Sequence, residues 1–231
     1  MAGPRPNQPG AVSLVHEQRM VARDRIERAA MQVLADKGLS ATVEEVAAAA
    51  AVSIRTVFRH YGTRDHMIAT ALRNQLFHYR DTLPVPEPGA SLEAWLPALL
   101  EEVHRVNAEL GRGYWELAAL GYTLSGELGD VAAERLAGRT RLVNGIARGA
   151  WRLAGNRSNP PGWLVDLFAI HVSAFTTREL VSDFGRSIEQ VALMSSRILV
   201  RAVRWATAEG DSPSKPERAA KRPNTERPLG T

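Results

Sequence analysis

The stretch that decides the fold is residues 42–64, TVEEVAAAAAVSIRTVFRHYGTR. Thr42 and Glu45 have the T-x-x-E spacing of a capping box, in which each side chain satisfies a backbone N–H left free at a helix start. A helix through Val46, Ala47 and Ala50 follows, and its alanines let a second helix approach closely. Ala51-Val52-Ser53 reads as a turn, and Ser53 as the N-cap of a helix beginning at Ile54. Val52, Val57, Phe58 and Tyr61 form the apolar set expected to pack the two helices at the steep angle of a helix-turn-helix. Arg55, Thr56, Arg59 and His60 are left pointing outward.

No Asp or Glu occurs from Val46 to Arg64. An uninterrupted positive field is what a phosphate backbone requires, because affinity for DNA comes largely from counterion release. Arg can grip a guanine edge with two hydrogen bonds, and Thr can bond a base or meet a thymine methyl. The competing reading of the same spacing is a small helical hairpin with a solvated basic face.

Residues of about 20–72 resemble the N-terminal domain of the TetR family of transcriptional regulators. AVSIRTVFRHYGTRDHM is similar to that family's turn and recognition helix, and Tyr61, Arg64, Asp65 and Met67 to the residues that open its next helix. The resemblance implies a phosphate-binding cap at Thr42. It implies DNA contacts from Ser53, Arg55, Thr56, Arg59 and His60, and backbone contacts from Tyr61 and Arg64. Two positions depart from the family. Ala51 stands where Gly is usual; a left-handed backbone there costs Ala roughly 1 kcal/mol, so a slightly altered turn is expected. Phe58 stands where Tyr is usual, which removes a hydroxyl contact to phosphate and makes Phe58 a core residue.

A chain of 231 residues with a net charge of +4 can hold one or two domains and bury a sizeable core. The overall charge is weak evidence for nucleic acid; its local distribution is stronger. There is no cysteine, which rules out disulfides and zinc–thiolate sites. The N-terminus lacks a signal-peptide core and no run approaches the ~20 apolar residues of a membrane span, so a cytoplasmic protein is expected. Asn156-Arg157-Ser158 matches a glycosylation sequon, a coincidence in such a protein.

The expected fold is all-α: an N-terminal three-helix helix-turn-helix DNA-binding domain followed by a helical ligand-binding and dimerisation domain. Residues 1–16 and 210–231, rich in Pro and charge, read as disordered arms. The second arm carries Lys215, Arg218, Lys221 and Arg222, basic enough for nonspecific DNA contact but more simply a solvated tail. Residues 17–62 form the DNA-binding domain and 63–209 the body. A helix over 17–37 carries Ile26, Ala29, Ala30, Val33 and Leu34 on one face and stops at Gly38. A fourth helix starts at the Thr63 cap. Pro84, Pro86, Pro88 and Gly89 break the chain. Helical patterns follow at about 91–110, 113–125, 130–154, 162–183 and 187–208.

The last two of these are apolar around most of their circumference, so each must be buried on more than one side. TetR-like proteins commonly dimerise through their last two helices, and the resemblance implies an interface including Leu164, Leu167, Ile188, Val191, Ile198, Leu199 and Ala202; a central core helix in a monomer is the alternative. A dimer sets two recognition helices about one DNA turn apart, which predicts a palindromic operator. The body also concentrates aromatics. Trp95, Leu99, Tyr114, Trp115, Tyr122, Trp151, Phe168, His171 and Phe175 are candidates to line an apolar pocket, and the resemblance implies a small hydrophobic effector there. Ordinary core packing is the alternative for each, and a structural histidine for His104 and His171.

Enzymatic chemistry needs a constellation that the sequence lacks. Glu101-x-x-His104 resembles half of a carboxylate di-iron site, but no other His has an acid three residues before it, and the pair reads as an exposed helical one. There is no HExxH, P-loop, dinucleotide fingerprint or nucleophile elbow. The partners expected are therefore double-stranded operator DNA, a small effector and a second copy of the chain, with no cofactor, metal or membrane. A small-molecule binder that kept this fold and lost operator binding is the main alternative.

Overall fold

A computed structural model describes residues 14–209, and among these residues the chain is all-helical with no strand. In chain order the helices are α1 (Leu14–Lys37), α2 (Val43–Ala49), α3 (Ile54–Tyr61), α4 (Arg64–Thr82), α5 (Leu92–Leu120), α6 (Gly126–Leu153), α7 (Gly162–His171), α8 (Ala174–Thr177) and α9 (Ile188–Glu209). A wider, π-type stretch over Arg178–Asp183 follows α8. Helix α1 begins before the residue 17 expected from sequence. The rest of the expected N-terminal arm, the whole C-terminal arm and its four basic residues lie outside the described residues.

The capping chemistry accounts for the early elements. Glu45 N–H donates to Thr42 Oγ1 at 3.2 Å and Thr42 N–H to Glu45 Oε2 at 3.0 Å, so the capping box of α2 is formed. Ser53 Oγ accepts from Thr56 N–H at 3.1 Å at the start of α3, and Thr63 Oγ1 from His66 N–H at 3.0 Å at the start of α4. Short helices need such caps because a few turns of backbone hydrogen bonds barely offset nucleation.

Two apolar cores lie along the molecule. One gathers Ile26, Ala30 and Leu34 of α1, Val46 of α2, Val57 and Tyr61 of α3 and Met67, Ile68 and Leu72 of α4, with Leu117, Leu128, Val131 and Ala132 from the body. The other surrounds α5 and takes in Leu96, Leu99, Val103, Leu164, Phe168, Leu199 and Val203. Helix α4 contributes to both, with Tyr79, and Leu83 just past its end, in the second. It is also tied to α6 by pairs spaced seven residues apart on each helix: His66 Nδ1 with Glu127 Oε2 at 2.6 Å, and Arg73 with Glu134 through bonds of 2.8 and 3.0 Å.

Sequence boundaries at Gly111 and after residue 171 resolve differently. The patterns at 91–110 and 113–125 merge into α5, which kinks at Gly111 (φ 59°, ψ −151°). There α5 crosses α1 so closely that a Cβ on Gly111 would lie 2.7 Å from Ala35 O. The pattern 162–183 is interrupted at Val172 and Ser173, where Ser173 caps the short α8. His171 before the break and Thr177 after it are both buried.

Candidate nucleic-acid interface and internal cavity

Helix α3 sits on the molecule by Val57 and Tyr61, which are buried, while Ser53, Ile54, Arg55, Phe58 and Arg59 are exposed and Thr56 and His60 half-buried. The turn before it is a regular Schellman motif. Val52 N–H donates to Ala47 O at 3.0 Å and Ala51 N–H to Ala48 O at 3.1 Å. The altered turn expected for Ala51 is not found: Ala51 adopts the left-handed conformation, at φ 51°, and bears its steric cost. Arg25 of α1 braces it, donating from Nη2 to Ala50 O at 2.7 Å.

Phe58 is corrected from a core residue to a surface one. It is 46% exposed, because its position on α3 faces away from α1 and α2 while Val57 takes the buried place. Tyr61 and Arg64 are also engaged otherwise than expected. Tyr61 is buried and its hydroxyl donates to Glu27 Oε1 at 3.1 Å; burial first, then Glu27, hold its phenol above the ordinary value and keep it protonated. Glu27 Oε2 accepts from Asn74 at 2.8 Å, so one carboxylate joins α1, α3 and α4. Arg64 donates from Nε to Ala41 O at 2.7 Å, from Nη1 to Asp65 at 2.8 Å and from Nη2 to Leu39 O, which pins the loop before α2 to the start of α4. Tyr61 and Arg64 therefore both brace the segment around α3, and Arg64, which uses three of its five N–H groups in these bonds, stays partly exposed.

The basic surface is wider than α3. His60 lies in the field of Arg59, Arg23 and Arg19, and burial followed by those three charges lowers its pKa below the ordinary histidine value. Arg19 and Arg23, one turn apart on α1, are a signal that could have been read from sequence and was not. Thr42, half-buried at the α2 N-terminus, spends its hydroxyl on its own cap.

The body holds a cavity of about 350 Å³ between α4, α5, α6 and the α7–α8 junction. Of the aromatics and neighbours proposed from sequence, only Tyr114 lines it. Leu99 and Phe168 are fully buried core. Trp95 packs over Gly149 and donates to Pro84 O at 2.9 Å; Trp151 donates to Ser158 at 3.3 Å. Trp115 lies beneath the Arg178 guanidinium. Tyr122 is 88% exposed in the α5–α6 connection and Phe175 is exposed on α8, so neither faces a pocket. His171 bonds Ser195 at 3.1 Å and is a structural histidine, as is His104, which is fully buried against Thr177 at 2.8 Å. Glu101, by contrast, is exposed, so the Glu101–His104 pair is split between surface and core and is not the exposed pair expected. The cavity walls missed from sequence include Leu76 and Tyr79 of α4 and Arg135, Arg139 and Leu142 of α6.

The proposed interface residues divide in the same way. Leu164, Val191 and Leu199 have essentially no exposed surface and belong to the protomer's own core; Leu167, Ile188 and Ala202 are half-buried and Ile198 is 40% exposed. The open apolar face on these helices is made instead by Ile170, Met194, Ile198 and Trp205, with Trp205 packed on Trp163 at a ring-centroid distance of 5.3 Å. No described helix is long and apolar enough to cross a membrane.

Residues 26–71 match the family of bacterial regulatory proteins described as tetR. Solved structures share the fold over most of the chain. FadR from Bacillus subtilis, in complex with stearoyl-CoA, is 15% identical, with 77% of this chain and 97% of that one covered at a TM-score of 0.55. A TetR-like transcriptional regulator from Rhodococcus sp. is 18% identical, with 88% and 100% covered at 0.57. LfrR from Mycobacterium smegmatis, in complex with proflavine, is 22% identical, with 79% and 96% covered at 0.53. No curated protein matches the chain.

Proposed function

Because residues 26–71 place the chain in the TetR family of bacterial regulatory proteins, we propose that it is a ligand-responsive transcriptional repressor. It binds a palindromic operator as a homodimer and is released by a small effector held in the body. The observation that carries this reading is the outer face of α3. Ser53, Arg55 and Arg59 stand clear of the fold, with Thr56 half-buried beside them, around a helix anchored by Val57 and Tyr61, in a stretch without a single acidic side chain. Arg55 and Arg59 supply phosphate or guanine contacts, and Ser53 and Thr56 supply hydroxyls near the groove floor. Arg19 extends the positive surface, His60 adds a neutral ring that can bond a phosphate, Thr42 stands beside them at the start of α2, and Glu27 and Arg64 hold the assembly rigid.

A second copy meets the apolar face of Trp163, Ile170, Met194, Ile198 and Trp205. Pairing there sets two α3 helices about 34–36 Å apart, the spacing of adjacent major grooves. The 350 Å³ cavity lies within the range of small-molecule sites, and two solved relatives of the fold carry ligands, stearoyl-CoA and proflavine. Helix α4 supplies both cavity wall (Leu76, Tyr79) and head core (Met67, Ile68, Leu72), so an occupant that shifts α4 against α6 changes the spacing of the heads. An effector acts only through its different affinity for the two spacings; a difference of 1–3 kcal/mol changes operator affinity about 5–150-fold.

The test is selection of duplexes from a random pool on the full chain, followed by gel-shift titration. Arg59→Ala and Thr56→Ala are expected to weaken the selected operator by ~1–3 kcal/mol each and to relax its sequence preference. Unchanged affinity in both variants, or failure of the wild-type chain to retain any duplex at low salt, refutes the reading.

A further inference from the structure

The cavity in the body is walled by the apolar side chains of Leu76, Leu142, Val172 and Ala174 and the rings of Tyr79 and Tyr114. Into this lining α6 sends two arginines one turn apart, Arg135 and Arg139. Arg135 is only 9% exposed. Its guanidinium carbon lies 4.8 Å from the centre of the Tyr114 ring, and its Nε has no hydrogen-bond partner among the described residues. Arg139 donates from Nη2 to the Ala169 carbonyl at 2.7 Å. Among the described residues neither arginine forms an ion pair, and the neighbouring carboxylate, Glu134, is committed to Arg73 through two hydrogen bonds.

This is a costly arrangement for a protein to keep without a use for it. A buried cation loses its hydration and regains it only through a counter-charge and hydrogen bonds; where packing alone is needed, apolar side chains of the same volume are usually as stable or more so. Burial, and then the charge of Arg135, lower the pKa of Arg139 below the ordinary arginine value, as expected for two like charges without an anion between them. A guanidinium is a planar fork that accepts a carboxylate through two parallel bonds. The surrounding wall is apolar and aromatic. We propose that the cavity takes a carboxylate with an apolar body, its head group held by Arg135 and Arg139 and its body lying against Leu76, Tyr79 and Leu142.

The inference deepens the effector reading above and rests on it for its regulatory meaning. It also refines it: the ligand is an anion rather than a neutral hydrophobe. Once a carboxylate is seated, Arg73 and Glu134 lie at the same wall, so the α4–α6 link borders the bound head group.

Calorimetric titration of the full chain with two matched pairs tests it: decanoate against decanol, and 2-naphthoate against 2-naphthamide. At least one carboxylate is expected to bind about tenfold or more tightly than its neutral partner. Arg135→Met is expected to abolish that preference while leaving the neutral partner's binding unchanged. Should Arg135→Met fail to fold, Arg139→Met and the cavity-filling Ala174→Phe take its place; the first is expected to reduce the preference and the second to block the carboxylate. Equal binding of both members of each pair, or no binding of either carboxylate, overturns the proposal, as does an anion preference that survives in Arg135→Met and Arg139→Met. Gel shifts with the selected operator are run on the same preparations. Carboxylate binding without an operator refutes the regulator alone, and operator binding without carboxylate preference refutes the anion site alone.

Discussion

His104 is expected to make this protein lose stability as the solution turns mildly acidic. Its ring is fully buried on α5. Thr177 Oγ1 accepts from Asn107 Nδ2 at 3.1 Å and itself donates to Ser173 O at 3.2 Å, so its remaining contact, to His104 Nδ1 at 2.8 Å, is one in which the ring N–H donates. That leaves Nε2 as a bare acceptor with no partner among the described residues. A proton added there would place a charge in the core with no hydrogen-bond acceptor to receive it. Burial first, and then the neighbouring His171, lower the pKa from 6.5 to about 4. The unfolded chain therefore takes up a proton that the folded one refuses. Stability is full above about pH 6.5 and drains away as pH falls toward about 4. By linkage, a group with these two values costs roughly 2 kcal/mol at pH 5 relative to pH 7.5. Burial lowers the pKa of His171 as well, so it adds in the same direction. Surface carboxylates such as Glu45 beside Lys37 and Glu134 beside Arg73 are held below their ordinary value by those partners, so their contribution is also lost as pH falls; it is common to wild type and variant and cancels in the comparison below. Urea unfolding at pH 7.5 and 5.0 measures the effect. In His104→Gln, which keeps a donor for Thr177 and cannot titrate, the loss between the two pH values is expected to shrink by about 2 kcal/mol. An equal loss in the variant and the wild type would refute the assignment of this acid sensitivity to His104.

Three further outcomes follow from the same geometry. Gly111→Ala must fit a Cβ at φ 59° against the Ala35 backbone and is expected to lose more than about 2 kcal/mol in urea unfolding, whereas Gly145→Ala, which meets nothing within 4 Å, should be neutral or slightly stabilising; similar values for the two would show that the kink is not constrained. Ile198→Asp on the open face of α9 should leave the far-UV spectrum intact and yield monomers in sedimentation, while Leu199→Asp, aimed into the core, should unfold the body; a dimeric Ile198→Asp would move the interface elsewhere. Operator affinity should rise as pH falls from 7.5 to 6, because phosphate raises a His60 pKa that burial, Arg59, Arg23 and Arg19 now depress, by up to about tenfold for each pH unit of that rise. His60→Asn should remove the dependence, and a dependence that persists in the variant would assign it to another group.

Much of the head was legible in the chain itself. Thr42 with Glu45, Ser53 with Thr56 and the buried Val57 are related by three or four residues, the distance over which a helix start organises itself, and all three features stand as read. Phe58 was misplaced because two adjacent apolar residues on a short helix compete for one buried position, and only the docking of α3 on α2 and α4 chooses between them. Glu27 was silent for a related reason. Its partners Tyr61 and Asn74 lie 34 and 47 residues away, and a lone glutamate on an amphipathic helix looks like solvated charge. In the body, aromatic content pointed to a pocket, yet most of those rings fill the core, and the cavity is distinguished by arginines that periodicity assigns to the surface.

The sequence by itself determined where α2, α3 and α4 start, which helix carries the positive face, and that the described chain is all-helical, since caps, breaks and local charge act through neighbours a turn apart. The tertiary structure alone decided that Leu199 points inward and Ile198 outward, that Tyr61 and Arg64 are braces, and that Arg135 is enclosed without an ion partner among the described residues. Burial is a property of what covers a helix, and what covers α6 and α9 comes from segments dozens of residues away.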